Sequence, residues 1–107
     1  MINKYDLLII IVKKGNSKIV IDVAMKQGAQ GSTVINGRGS SVHETNKILG
    51  IPIEPEKEIV LIVVNKNKTD IILDMINKEA ELEKPGRGIG FALDVEKVVG
   101  FNEIVEI

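Results

Sequence analysis

Ile10-Ile11-Val12-Lys13-Lys14-Gly15-Asn16-Ser17-Lys18-Ile19-Val20-Ile21-Asp22 lies without a gap over Ile62-Val63-Val64-Asn65-Lys66-Asn67-Lys68-Thr69-Asp70-Ile71-Ile72-Leu73-Asp74, at a constant offset of 52 residues. Apolar run, polar turn, hydroxyl residue and apolar pairs coincide, so the chain reads as two copies of one unit. In each copy a short run of strand character leads through a polar stretch to Ser17 or Thr69, residue types whose side-chain oxygen caps helix N-termini. A helix is expected to begin at each. Its buried stripe is given by spacing: Ile19, Val20, Val23 and Ala24 in the first copy, Ile71, Ile72, Met75 and Ile76 in the second.

Working outward, the first strand is expected over 5–13. Its near-continuous apolar run, Leu7 to Val12, reads as a central strand covered on both faces. The first helix ends near Gln27-Gly28, where glycine supplies the left-handed conformation of a C-terminus. A second strand follows over 32–36. Residues 37–56 then leave the sheet, through Gly37-Arg38-Gly39-Ser40-Ser41 and back through Gly50-Ile51-Pro52-Ile53-Glu54-Pro55. Ser41 with Glu44 has the form of a capping box, which predicts a short helix over 42–49 with Ile48 and Leu49 on its apolar side. The third strand is expected over 58–64, the second helix over 69–81 and the fourth strand over 90–95, fed by Lys84-Pro85-Gly86-Arg87-Gly88. A helical turn over 94–99 and a short C-terminal strand over 101–107 complete the reading. The order β-α-β-β-α-β, made by duplicating β-α-β, is the ferredoxin-like α+β arrangement: an antiparallel sheet with both helices on one face. Its other face would be open, and such apolar strands call for a cover, most simply further copies of the same chain.

Composition narrows the functions. At 107 residues the chain is expected to be a single domain. It has no cysteine, so disulfides and thiolate metal sites are excluded, which fits a reducing, cytoplasmic home. The apolar run near the N-terminus is too short for a signal h-region or a bilayer span, so neither export nor membrane insertion is expected. A net charge of −1 and only Tyr5, Phe91 and Phe101 as aromatics leave no footprint of a nucleic-acid binder. His43, the only histidine, has no cysteine and only Glu44 and Glu54 near it in sequence, and reads as an exposed loop residue. Asp22 and Asp74 are repeat-equivalent and read as solvent-edge carboxylates; Glu54, Glu56 and Glu58 read as the exposed side of a strand entrance. No catalytic constellation and no metal site emerge, so an enzyme is not expected.

Two glycine loops carry the candidate site, Gly37-Arg38-Gly39 and Pro85-Gly86-Arg87-Gly88. Glycines let successive amide groups turn toward one point, and a neighbouring arginine adds a planar fork for phosphate or carboxylate. Together in one cleft they would bind an anionic ligand such as a nucleotide; each alone is also compatible with a tight turn bearing a solvated arginine.

On this topology Gly28-Ala29-Gln30-Gly31-Ser32-Thr33-Val34 resembles the Gly-x-x-Gly-Met-Thr-Val that leads to the long T-loop of the PII signal-transduction proteins. Gly86-Arg87-Gly88-Ile89-Gly90-Phe91-Ala92-Leu93-Asp94-Val95 resembles that family's B-loop and fourth strand, Gly-Asp-Gly-Lys-Ile-Phe-Val-Phe-Asp-Val. The resemblance implies a homotrimer whose sheets form a central barrel. It further implies adenine nucleotides in clefts between subunits and a T-loop (37–56) that docks on a target protein, in the setting of nitrogen regulation. Residue by residue it carries over Thr33, Gly37, Gly39 and Lys57, with Gly86 and Gly88 of the B-loop (83–89), to the effector; Arg38 and Arg87, each beside a loop glycine, are expected to add their charge there, and Ile48, Leu49 and Ile51 of the excursion are expected to meet the partner. The chain also departs from the pattern: Ile89 stands in place of the B-loop lysine, Gly100 and Asn102 in place of two phosphate-holding arginines, and Ser40-Ser41 in place of an Arg-Gln pair. No obligatory cofactor is implied, and AMP or a cyclic dinucleotide fits the remaining charges better than ATP or ADP. The alternative within the same fold is a ligand-free interaction module like the cation-tolerance proteins.

Overall fold

The computed structural model describes residues 4–40 and 46–101. Six strands and two helices follow in order: β1 (Tyr5–Lys13), α1 (Ser17–Lys26), β2 (Thr33–Arg38), β3 (Asn46–Ile48), β4 (Ile51–Ile53), β5 (Glu56–Asn65), a 3₁₀ turn (Lys66–Lys68), α2 (Thr69–Glu79) and β6 (Gly88–Val95). β2, β5, β1 and β6 form one antiparallel sheet in that order, and β3 pairs with β4 in a separate hairpin. This is the ferredoxin-like α+β arrangement expected from the repeat.

The repeat is visible in the register. Ile9 of β1 lies opposite Leu61 of β5, its own equivalent 52 residues on, so a local twofold axis passes between the two central strands. The two copies are interlocked: β2 pairs with β5 of the other copy, and β6 with β1. Neither β-α-β unit closes a sheet by itself.

Alternation along the strands settles which face is covered. Leu8, Ile10 and Val12 of β1 and Val60, Ile62 and Val64 of β5 are buried beneath Val20, Val23 and Ala24 of α1 and Ile72, Ile76 and Ala80 of the α2 end. Their neighbours Leu7, Ile9, Ile11, Ile59, Leu61 and Val63 point the other way and are half-buried. On the edge strands Ile35, Ile89, Phe91 and Leu93 are exposed on that same side. The apolar run thus reflects one face under helices and one uncovered apolar face. The helix stripes are narrower than spacing suggested, because Ile19 and its repeat equivalent Ile71 are exposed.

The helix starts differ from expectation. Ser17 and Thr69 are the first helical residues, and neither N-terminus has a side-chain cap from its N-cap residue. Carboxylates from the strands take part instead. Glu58 Oε1 accepts the backbone N–H groups of Gly15 (2.8 Å) and Ser17 (3.1 Å). Asp6 Oδ2 accepts the Thr69 hydroxyl at 2.7 Å, while Oδ1 accepts Lys66 Nζ at 2.6 Å. Asp6 and Glu58 are themselves 52 residues apart, so each copy supplies the carboxylate for the other copy's helix. Glu58, read from sequence as a solvated edge residue, is an anchor. Both helices end in Schellman motifs: Ala29 N–H reaches Ala24 O and Leu82 N–H reaches Asn77 O, across left-handed Gly28 and Glu81.

In the excursion, residues 46–48 are strand rather than helix. Leu49 (φ 52°) and Gly50 (φ 79°) both have positive φ, the mark of a type I′ hairpin turn. Pro52 biases Ile51 toward extended backbone and against helix. Ser41, His43 and Glu44, with the capping box read from them, and the C-terminal strand beyond Phe101, lie outside the described residues. No helical turn forms over the described stretch 94–99; Phe101 packs edge-on against Tyr5 at 5.1 Å between ring centroids.

Candidate effector site

The two glycine loops meet. A cavity of about 550 Å³ opens between the end of β2 (Arg38, Gly39, Ser40), Lys57 at the start of β5, and the loop between α2 and β6 (Leu82, Glu83, Lys84, Pro85, Gly86, Gly88). Its floor is Ile59, Ile11 and Ile89, one row across β5, β1 and β6 in register. The cavity is therefore continuous with the uncovered sheet face.

Local chemistry explains the placement. Gly39 N–H donates to Pro55 O at 3.2 Å, and Arg38 lies opposite Glu56, so the two stems of the excursion are tied together at the cavity wall. Gly88 has φ 146°, and a Cβ there would come within 2.4 Å of the Ile11 carbonyl oxygen. Only glycine lets the loop press this closely on β1.

Of the residues expected at the effector, Arg38, Gly39, Lys57, Gly86 and Gly88 line the cavity. Gly37 lies opposite Lys57 in the sheet but outside the lining, and Thr33 lies opposite Leu61, at the far end of β2 from Arg38. Arg87 turns away. Its Nε and Nη2 donate to the carbonyl of Ala80, at 3.2 and 3.1 Å, closing the C-terminal end of α2. Arg38 makes no hydrogen bond or ion pair with any described residue. Lys84 is paired with Glu81, and that ammonium lowers the Glu81 pKa from its ordinary value.

Ile11, Ile59, Leu82, Glu83 and Lys84 were not singled out in the sequence. The unbroken apolar run hid the parity that puts Ile11 and Ile59 on the open side, although alternate positions of a strand always share a face. At the proposed partner surface, Leu49 at the hairpin tip is 95% exposed and Ile51 is 66% exposed; of Ile48 only its place in β3 is described. Among the described residues no group of three or more His, Cys, Asp or Glu side chains is arranged to hold a metal ion. No described helix is long and apolar enough to cross a membrane.

A four-stranded antiparallel sheet with both helices on one side, a long excursion between β2 and β5, and a glycine loop meeting its base define a distinct class of ferredoxin-like domain. The family model described as "Nitrogen regulatory protein P-II" matches residues 5–103, and the chain belongs to that family. Among similar solved structures is that of Arabidopsis thaliana PII bound to citrate, 25% identical, with a TM-score of 0.67 over 87% of this chain and 78% of that one. No curated protein matches the chain. Proteins of this family are regulators rather than enzymes.

Proposed function

We propose that this chain is a cytoplasmic signal-transduction protein that binds a small effector of the adenine-nucleotide type in clefts between the subunits of a homotrimer. It regulates a partner protein through the excursion over residues 37–56. The observation that carries the reading is the cavity where the two glycine loops meet. It touches both stems of the excursion, so a ligand there would bias the conformation of the loop that presents Leu49 and Ile51. The uncovered apolar face supports the assembly, because an exposed apolar surface of this kind marks an interface, and the cavity opens onto it. Family membership supports a role in nitrogen regulation.

Calorimetry of the purified protein with ATP, ADP, AMP and cyclic dinucleotides, with and without magnesium and 2-oxoglutarate, tests the effector. Saturable binding of one of them is expected. Silence from all would discard the nucleotide sensor in favour of a non-nucleotide effector or of the ligand-free interaction module.

A further inference from the structure

Asn36 is the only asparagine followed by glycine, and it stands near the end of β2, where the chain leaves the sheet for the excursion. Asn-Gly is the pair most prone to cyclise, because a residue without a Cβ leaves its backbone nitrogen open to the asparagine side chain. The Asn36 side chain is exposed and has no hydrogen-bond partner among the described residues. It shares the helix side of the sheet with Glu58 and Val60, so the face assigned to the assembly does not cover it. The ladder supplies a brake. Gly39 N–H bonds Pro55 O, and bonded pairs recur at every second residue of an antiparallel ladder, so Gly37 is held to Lys57 while Asn36 and Glu58 form a non-bonded pair. A nitrogen held in that ladder is turned away from its neighbour's side chain. β2 is an edge strand exposed along most of its length, so its end opens more readily than the core.

We infer that Asn36-Gly37 is a self-modification site gated by the pairing of the excursion's stem, and that its conversion is a one-way charge switch at the base of the excursion. When the stem opens, the Gly37 nitrogen attacks Asn36 Cγ; the N–Cγ bond forms, the Cγ–Nδ2 bond breaks, and ammonia leaves with the amide proton. Water then opens the cyclic imide at either carbonyl and gives aspartate or isoaspartate. Water is consumed, ammonia is released, and nothing is oxidised or reduced. Aspartate places a second carboxylate directly across from Glu58, whose Oε1 holds the Gly15 and Ser17 amides at the start of α1. Like charges directly opposite destabilise a strand pair. Isoaspartate instead lengthens the backbone by one carbon just before β2 ends. Either product loosens the stem that carries the excursion. This goes beyond the effector reading and does not rest on it.

The test incubates the intact protein beside a synthetic peptide of residues 31–40 at mildly alkaline pH. Peptide mapping by mass spectrometry locates each conversion, and methyltransferase labelling identifies isoaspartate. The peptide is expected to convert first, and the folded protein to follow at Asn36 at least about tenfold more slowly, with its other asparagines unchanged over the same period. The slowing should agree within about threefold with the protection of the Gly37 amide in hydrogen exchange, since both report one opening. Gly37→Ala should remove most of the conversion without lowering the unfolding midpoint, because a Cβ there meets only Ile59 Cδ1, at 3.4 Å. Asn36→Asp should lower the midpoint at neutral pH, and the loss should shrink by at least about half in the presence of Glu58→Gln. Conversion as fast in the protein as in the peptide overturns the gate, as does a slowing that departs from the Gly37 protection. Conversion at Asn36 no faster than at the other asparagines overturns the site. An Asn36→Asp loss of stability that is absent, or that Glu58→Gln leaves unchanged, overturns the charge switch.

Discussion

Asp6 and Glu58 do the same job at equivalent positions, and their neighbourhoods set how each responds to pH. Asp6 is 7% exposed, and its pKa is lowered chiefly by the hydrogen bond from Lys66 and then by that from Thr69. Glu58 is lowered chiefly by its hydrogen bond with the Ser17 side chain and then by the backbone groups of Ser17 and Gly15. A carboxylate whose folded pKa is depressed contributes stability that is present above its unfolded value and lost as pH falls through the folded one. Asp6→Asn should therefore lower the denaturation midpoint at neutral pH, and the gap to the parent protein should narrow as pH drops below 3.8, the ordinary value for Asp, and toward the lower folded one. Denaturant titrations at pH 7 and pH 3 read this directly; an unchanged gap would remove the ionic anchor. Thr69→Val, which deletes one donor to Asp6, should cost about 1–2 kcal/mol at pH 7 by the same measurement. The repeat pointed to both hydroxyls, but sequence order suggested that they cap their own helices. Their acceptors lie 41 and 63 residues away, a distance that no local pattern encodes.

Among the elements, β6 and the hairpin depart from ordinary preference in opposite ways. In β6 the backbone lies so close to β1 that Gly88 has no room for a Cβ, whereas at Gly90 a Cβ would meet the flexible end of Ile10 at 2.7 Å. Gly88→Ala should therefore cost about 2–4 kcal/mol and disturb the cavity wall, and Gly90→Ala about 1 kcal/mol, in thermal or chemical unfolding. Equal costs would mean that the loop can shift off β1. In the hairpin, Leu49 holds a positive φ that leucine disfavours. Leu49→Asn gives the turn its preferred Asn-Gly pair, and should leave the fold as stable as before or stabilise it by up to about 1 kcal/mol. If the tip serves the partner, the same variant should weaken partner binding. A capping-box spacing suggested a helix in this stretch, but the Leu-Gly turn and Pro52 impose a strand pair that the spacing did not reveal.

For the molecule as a whole, the decisive feature is a sheet with one face under helices and the other bare. Ile35, Phe91 and Leu93 are 45%, 40% and 48% exposed there, large apolar side chains on one face of the kind that mark an interaction surface. The protein is expected to run as an oligomer in light-scattering chromatography. Leu93→Asp should shift it toward monomer with its far-UV spectrum intact, because a charge on that face opposes burial without touching the helix-covered core. A parent protein that is monomeric at micromolar concentration would end the trimer reading.

The amino-acid sequence by itself determined the duplicated β-α-β plan, the element order and the glycine loops, because periodicity, turn chemistry and the 52-residue offset are local or repeating signals. It also singled out Arg38, Gly39, Lys57, Gly86 and Gly88, which the fold brings to one cavity. Only the tertiary structure decided that Arg87 turns to the end of α2, that Lys84 and Glu83 join the rim, and that three isoleucines from three strands form the floor. Those outcomes depend on register between distant strands and on which donors and acceptors the packing brings within reach. They are properties of packing in three dimensions, which spacing along one dimension does not fix.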